Sequence, residues 1–345
     1  MPSMGESVNR VELIKTLELV KPALATTNQI PIFQCFIFKP GFVEAYDDQI
    51  AITGPCDGEQ EFAVPGNTLL GLLSNSGAEE ISLDLKSDIL VLTMSKSVSK
   101  LAFQPPESFI FQEPDPKWNL TLPFTTSLAE AVEVCLGSVS KDTTQPALNG
   151  ISFEGNKLYA CNGDSLTRFT IEHTAKARVL LPTAFCSAVL KLWKALDVIK
   201  GELLISDEWV SAQFGAWAVY GQILEIKDPI DFEQLITQNV KTKIPLLPVP
   251  EGLSEGLGRA RILSDPESQK TVISIVGKKI TLHTQTHVGA TTDKFVFGGS
   301  HPDVVANVNA AHLQDALSKC DRVAFHENCC LLAKDPSLLM LLSNM

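Results

Sequence analysis

The chain has 345 residues, 45% hydrophobic and 20% charged, with 28 lysines and arginines against 40 aspartates and glutamates. That size holds about two or three domains with ample core and excludes a disordered chain, which would be poorer in apolar residues. A net charge of −12 excludes nucleic-acid binding by bulk electrostatics, because attraction to phosphate needs positive potential where the phosphates lie.

No stretch reaches the roughly 18–20 consecutive apolar residues of a membrane helix. The start, Met1 to Glu6, has neither a basic run nor an apolar one, so no signal peptide and a cytoplasmic protein are expected. An amphipathic helix is predicted over Val11–Lys21, with Leu13, Leu17, Val20 and Leu24 recurring at steps of three and four. Strands are predicted over Ile32–Phe38 and Gln49–Thr53, parted by the turn Lys39-Pro40-Gly41. After Val64-Pro65-Gly66-Asn67 comes a helix through Leu69–Leu73, then strands at Ile81–Leu85 and Ile89–Met94.

The same series follows twice more. A helix over Ser127–Val139 precedes strands Gly150–Phe153 and Lys157–Ala160, parted by Gly155-Asn156. Leu181-Pro182-Thr183-Ala184 then opens a helix through Phe185–Leu196, followed by strands Glu202–Ser206 and Val210–Phe214. The third pass has a helix at Leu253–Leu263, strands Thr271–Val276 and Lys279–Thr284 around Gly277, and a helix His312–Leu317 after Val308-Asn309-Ala310-Ala311. Ser127 and Ser254 are expected caps of two first helices. First helices begin at 11, 127 and 253, intervals of 116 and 126 residues; second-helix openings at 65, 182 and 309 repeat with intervals of 117 and 127. The expectation is an α+β chain of three tandem homologous modules, residues 1–122, 123–241 and 242–345, with breaks in the proline-bearing stretches Pro114–Leu122 and Thr237–Pro250.

The modules carry net charges of −8, −4 and 0. Lys191 and Lys194 share a predicted helix face, and Lys319 and Arg322 have the same spacing. Arg259 and Arg261 do not share a face, while Lys15, Lys21 and Lys141 fall at or near first-helix ends. One reading makes these ordinary solvated faces, with cations favoured at helix C-termini. The other makes them the lining of a concave surface formed by six helices, basic inside an acidic exterior.

Eight cysteines lack zinc-ligand spacing, and several lie in apolar runs, so they are expected to be small buried hydrophobes in a reducing compartment. Gly252-x-Ser254-x-Gly256, with Asp265 and His283 following, has the order of a serine-hydrolase elbow. Ile244 to Pro250 contains three prolines, however, and cannot be the central strand that an elbow needs; Ser254 fits the first turn of a helix instead. His283 and His287, four apart in an alternating segment, lie too far apart to share one metal ion. No phosphate-binding Gly-x-x-x-x-Gly-Lys loop occurs.

Five segments in register with the repeat resemble the bacterial sliding clamp, the beta subunit of DNA polymerase III. They are Ile30-Pro31-Ile32-Phe33, Gln145 to Ile151, Val179-Leu180-Leu181-Pro182, Asp231 to Ile236, and Ala260-Arg261-Ile262-Leu263-Ser264. The resemblance spans essentially the whole chain. It implies a head-to-tail homodimer closing a ring of six modules around duplex DNA, with no catalysis and no cofactor of its own. The implied partners are a polymerase, an ATP-dependent clamp loader and repair proteins docking a short hydrophobic motif. By position, the docking groove would comprise Leu148, Gly163, Asp164, Leu166, Thr167, Arg168, Ile230, Leu235 and the C-terminal Leu338, Leu339, Met340, Leu341 and Leu342. That last stretch reads either as an exposed apolar tail lining the groove or as an edge strand completing the third sheet. The DNA-facing set would be Lys15, Lys21, Lys141, Lys191, Lys194, Arg259, Arg261, Lys319 and Arg322.

The chain departs from the family pattern. The groove turn is Cys161 to Arg168 where the family usually has Ala-Thr-Asp-Gly-His-Arg-Leu, and the family's C-terminal Met-Pro-Met is missing. Thr27, Pro146, Ala147, Thr183 and Ala184 stand where well-known members have basic or aromatic residues that touch DNA. These departures imply a divergent member, with a phage-encoded clamp as one reading. The competing class is a repeat scaffold unconnected with DNA, which predicts no segregation of basic residues and no ring.

Overall fold

The structure, a computed structural model, describes residues 6–27, 30–86, 89–105, 108–197, 200–226, 228–240, 244–265 and 269–344. The chain start Met1–Gly5, read above for a signal peptide, lies outside them. The first third runs β1 (Glu6–Asn9), α1 (Arg10–Val20), β2 (Cys35–Lys39), β3 (Phe42–Tyr46), β4 (Ile50–Pro55), β5 (Phe62–Pro65), α2 (Gly66–Ser74), β6 (Glu80–Lys86), β7 (Ile89–Met94) and β8 (Ser97–Ala102). The second runs β9 (Leu120–Phe124), α3 (Thr126–Leu136), β10 (Gly150–Cys161), β11 (Ser165–Pro182), α4 (Thr183–Leu196), β12 (Gly201–Ile205), β13 (Trp209–Phe214), β14 (Trp217–Gln222) and α5 (Phe232–Asn239). The third runs β15 (Leu247–Pro248), α6 (Leu253–Leu263), β16 (Lys270–Val276), β17 (Lys279–Gln285), β18 (Ala290–Val296), β19 (Val304–Asn309), α7 (Ala310–Leu317), β20 (Arg322–Phe325), β21 (Cys329–Lys334) and β22 (Leu338–Ser343).

The first and last thirds have the same order of elements, strand, helix, four strands, helix, three strands. The middle third differs because β10 and β11 each run unbroken where the others have two strands. Here the expected turn at Gly155-Asn156 is instead an irregularity inside one strand: the register with β11 shifts between Phe153 and Lys157, and Gly155 takes the positive φ of +58°. The turn at Gly277, φ +60°, does form the expected hairpin of β16 and β17. Ile32–Gln34 is not strand, since Pro31, with φ fixed for a helical turn, starts a 3-10 turn over Pro31–Gln34 before β2 begins.

Two compact units result. The first comprises residues 1–129 and 184–223, the second 130–183 and 224–345. In the first, strands order as β1-β6-β7-β8 and as an eight-stranded β5-β2-β3-β4-β14-β13-β12-β9; all pairings are antiparallel. Helix α1 buries Leu13, Leu17 and Val20 against α2 and β4, and Asn9 Oδ1 caps it by accepting from the Val11 and Glu12 amides. In the second unit, strands order as β10-β11-β22-β21-β20-β15 and β18-β17-β16-β19. Helix α6 lies against α7 and on β17 and β18, at its closest where a Cβ on Gly256 would meet the Phe295 ring at 2.5 Å.

That contact explains one half of the hydrolase-like pattern. Gly256 is a packing glycine, and Gly252, φ +77°, is the residue from which α6 starts. Ser254 sits in the first turn of α6 rather than on an elbow, and its carbonyl accepts from Gln314 Nε2. It is not the cap. Nor is Ser127, because Thr125 Oγ1, one residue before α3, accepts from the Leu128 amide. All eight cysteines are free, six of them buried.

Candidate functional site

Strand β11 sits between β10 and β22, so its alternation sorts side chains onto two faces of the six-stranded sheet. Leu166 and Arg168 point one way, together with Cys161 and Tyr159 of β10 and Leu341 and Leu339 of β22, which lie opposite them in register. Leu331 and Ala324 continue that face across β21 and β20. Thr167 points the other way with Met340; it is fully buried, and its hydroxyl lies 2.7 Å from that of Ser138, just beyond α3.

The first face carries α5. Asp231 caps the helix through the Gln234 amide, and Phe232 and Ile236 are buried on the sheet. The Phe232 ring stacks on Tyr159 at 5.1 Å and 10°, and the Arg178 guanidinium lies 5.2 Å from its centre. Packed around this core are half-buried apolar side chains, among them Leu148, Ile230, Leu235, Val240, Ile244 and Leu339. The result is an apolar strip of half-buried side chains along α5.

Six expected groove residues therefore meet in one cluster: Leu148, Leu166, Ile230, Leu235, Leu339 and Leu341. Arg168 shares their face. Gly163 and Asp164 form the exposed turn at the end of it, where Asn162 Oδ1 accepts from the Asp164 and Ser165 amides and Gly163 has φ +92°. Thr167, Leu338, Met340 and Leu342 do not join this cluster; period two sends them to the opposite face of the sheet. The C-terminal stretch is neither an exposed tail nor an edge strand. It is an interior strand with β11 on one side and β21 on the other; Leu338, Leu341 and Leu342 are buried and Leu339 is half-buried.

Sequence reading missed the polar half of this face. Glu233, on α5, accepts from Lys157 Nζ at 2.6 Å, Tyr159 Oη at 2.7 Å and Arg168 Nη1 at 3.3 Å to each oxygen. Burial alone would raise the Glu233 carboxyl; the bonds from Lys157 and Tyr159 and the charge of Arg168 outweigh it and hold the group below its ordinary value. The helix itself was legible: Asp231 as cap followed by Phe232, Leu235 and Ile236 at helical spacing is a start signal. The ion cluster had no such signal.

The basic residues divide by role. On α4, Lys191 and Lys194 are exposed on one face as expected. Lys191 Nζ donates to the Glu18 carbonyl in the last turn of α1, and exposed Lys21 pairs with the Glu18 carboxylate at 3.5 Å. Burial at that contact and the nearby charge of Lys21 pull the Lys191 ammonium below the usual lysine value, although Glu18 opposes them. Lys15 on α1, Lys141 after α3, and Arg261 on α6 are exposed. Arg259 is tied to Asp293 at 2.7 Å. Lys319 and Arg322 do not share a helix face, because α7 stops at Leu317 and Arg322 opens β20. Lys319 pairs with Asp315 at 2.8 Å and reaches the C-terminal end of α3 beside Gly137.

Each four-stranded sheet has an edge strand that bears an exposed valine. Strand β8 pairs only with β7, and β18 only with β17. Each presents an exposed valine, Val98 at 61% and Val296 at 65%, and Ile262 of α6 is 81% exposed. Among the described residues no group of three His, Cys, Asp or Glu side chains could hold a metal ion, and no helix is long and apolar enough to cross a membrane.

No family model and no curated relative matches the sequence. Solved structures do. The sliding clamp (DNA polymerase III subunit beta) of Bartonella birtlesii, solved bound to griselimycin, is 17% identical and superposes over 99% of both chains with a TM-score of 0.89. The DNA polymerase III beta subunit of Thermotoga maritima is 21% identical over 99% of both chains, TM-score 0.86. The beta subunit from Streptococcus pyogenes DNA polymerase is 17% identical over 98% of this chain and 99% of its own, TM-score 0.85. The chain has the fold of the bacterial sliding clamps, three tandem α+β modules, at sequence identities that mark it as divergent.

Proposed function

We propose that the protein is a sliding clamp: a non-catalytic processivity factor that encircles duplex DNA without regard to sequence and tethers a polymerase to it. The observation that carries this reading is the fold match, end to end over 99% of both chains. Its modules are residues 1–122, 123–241 and 242–345, the middle one contributing strands to both large sheets. Two copies join head to tail, β8 of one alongside β18 of the other, making six modules. Edge strands with exposed valines support this pairing, since unpaired edges are templates for another chain. An ATP-dependent loader opens the ring, and the protein works in the cytoplasm.

The chain's −12 charge suits a clamp that slides rather than grips. Lys15, Lys21, Lys141, Lys191, Lys194, Arg259 and Arg261 are the DNA-facing set, with Lys191 and Lys194 the most favourably exposed pair. Lys319 and Arg322 contribute charge from a turn and a strand. The apolar strip along α5 is the docking groove for the polymerase and other partners. The eight-stranded sheet also carries an aromatic cluster, Phe33, Tyr46 and Tyr220, but Phe111 is buried in it and Tyr220 bonds to Glu113, so the chain's own segment occupies that face.

The test is topological. Protein loaded on a singly nicked circular plasmid, using ATP and extract from the source cells, is expected to stay bound through gel filtration and to leave when one restriction cut linearises the DNA. Retention on linear DNA would mean ordinary surface binding and would overturn encirclement. Lys191→Glu with Lys194→Glu is expected to impair loading by at least tenfold while the dimer persists; unchanged loading would remove α4 from the DNA-facing surface.

A further inference from the structure

We propose that the face of the eight-stranded sheet beneath Phe111 is a second docking site, closed at rest by the chain's own residues 109–113. Its partner is an extended segment of the same chemistry, an aromatic side chain followed two residues later by a carboxylate, as in Phe111-Gln112-Glu113. The inference extends the docking role proposed for the α5 strip to that strip's counterpart in the repeat. The equivalence is one of register. In the strip, Cys161 of β10 lies opposite Leu166 of β11, which lies opposite Leu341 of β22. In the eight-stranded sheet, Tyr46 of β3 lies opposite Ala51 of β4, which lies opposite Tyr220 of β14. A 3-10 turn opened by a proline precedes each, and the residue two beyond that proline, Leu148 or Phe33, joins the cluster. The same layout thus occurs twice, aliphatic beside α5 and aromatic here.

What covers the two faces differs. A helix lies on the first, whereas residues 109–118 have no regular structure and, among the described residues, no backbone hydrogen bond. Side chains alone hold this segment. The buried Phe111 ring lies 5.0 Å from that of Tyr46 and 5.9 Å from that of Tyr220, and exposed Glu113 accepts from Tyr220 Oη. Phe109 packs at the margin of the cluster, with Lys39 Nζ 5.7 Å from its ring centre. A segment without main-chain pairing lifts at lower cost than a strand or a helix. Its fit is also incomplete. Ser211 of β13 lies opposite Tyr220, the place that Leu331 holds opposite Leu341. The Ser211 hydroxyl is fully buried and has no partner among the described residues. An unpaired buried hydroxyl is destabilising, so an occupant that satisfies it outbinds the resident segment.

The experiment is fluorescence anisotropy on the full-length protein with a labelled, C-terminally amidated peptide, Ser-Phe-Ile-Phe-Gln-Glu-Pro-Asp, the sequence of residues 108–115. In the wild type the resident segment competes from within the same chain. Phe111→Ala with Glu113→Gln vacates the face, and this variant is expected to bind the peptide roughly tenfold tighter than the wild type. Glu113→Gln alone, at an exposed position, is expected to gain about threefold, and it decides the question if the double variant loses its far-UV circular dichroism. Replacing the peptide's second Phe by Ala is expected to abolish the gain. Adding Tyr220→Phe to the double variant is expected to remove its preference for the peptide's Glu over Gln. Leu235→Ser, which spoils the α5 strip, is expected to leave the gain intact, and that result supports the second site whether or not the strip binds peptide. Equal affinity of the wild type and both variants overturns the proposal, as does a gain that survives loss of the second Phe. A gain that vanishes with Leu235→Ser places the peptide on the α5 strip and overturns it too.

Discussion

Phe232→Ala tests whether α5 is held to the sheet by one aromatic anchor. The ring is buried, stacked on Tyr159 and covered by Arg178, so truncation removes its burial and both ring contacts together. Buried Phe→Ala substitutions cost about 3–5 kcal/mol, and α5 is an eight-residue helix that can relax by lifting, which places the expected loss near 3 kcal/mol. Ile236, the other buried side chain of the helix, contributes about 1.5–3 kcal/mol, so it cannot hold α5 as tightly alone. At 1.4 kcal/mol per tenfold, α5 amides are expected to exchange roughly 100-fold faster, while β16–β19 keep their protection. Hydrogen exchange with mass spectrometry reads this directly. Tryptophan fluorescence does not, since Trp118, Trp193, Trp209 and Trp217 all lie in the first unit. Acceleration of less than about fivefold, or 1 kcal/mol, would refute the anchoring role.

Three further outcomes are expected. Thr167→Val strands the buried Ser138 hydroxyl and should cost about 1–3 kcal/mol in urea unfolding followed by far-UV circular dichroism; adding Ser138→Ala should recover much of that, and strictly additive losses would contradict the pairing. Because the folded Glu233 carboxyl titrates below its ordinary 4.5, its contribution is present above that pH and lost as pH falls through the folded value. Acid should therefore loosen α5 in exchange experiments, by a modest amount for a half-exposed group, and Glu233→Gln should remove this dependence; an identical acid profile in the variant would show that other groups govern it. Val296→Asp alters an edge-strand side chain of β18 that is 65% exposed, so the monomer fold should be unchanged while the sedimentation mass falls from dimer to single chain; a persisting dimer would exclude the β18 edge from the interface.

The threefold repeat was legible because each element carries its own local signal. Helix α6 follows from apolar spacing, and the β16–β17 hairpin from Gly277 between alternating strands. What joins the repeats had none: β4 with β14 and β11 with β22 pair across 160 residues or more, and local pattern does not encode a partner. The C-terminal stretch shows the cost. A strand buried on both faces reads as a plain apolar run, which resembles an exposed sticky tail just as well. The expected groove residues came from position in the family pattern, and alternation divides them, putting Leu339 and Leu341 on the face of α5 and Leu338, Met340 and Leu342 on the other. Glu233 reaches donors 65 to 76 residues distant, so only the folded sheet brings that cluster together.

Small-angle scattering with an independent mass determination, on purified protein without DNA, addresses the ring itself. A mass of about 75 kDa, twice the 37.5 kDa chain, and a distance distribution of a hollow ring are the expected result. A compact 37.5 kDa particle that persists to the highest soluble concentration would contradict the clamp.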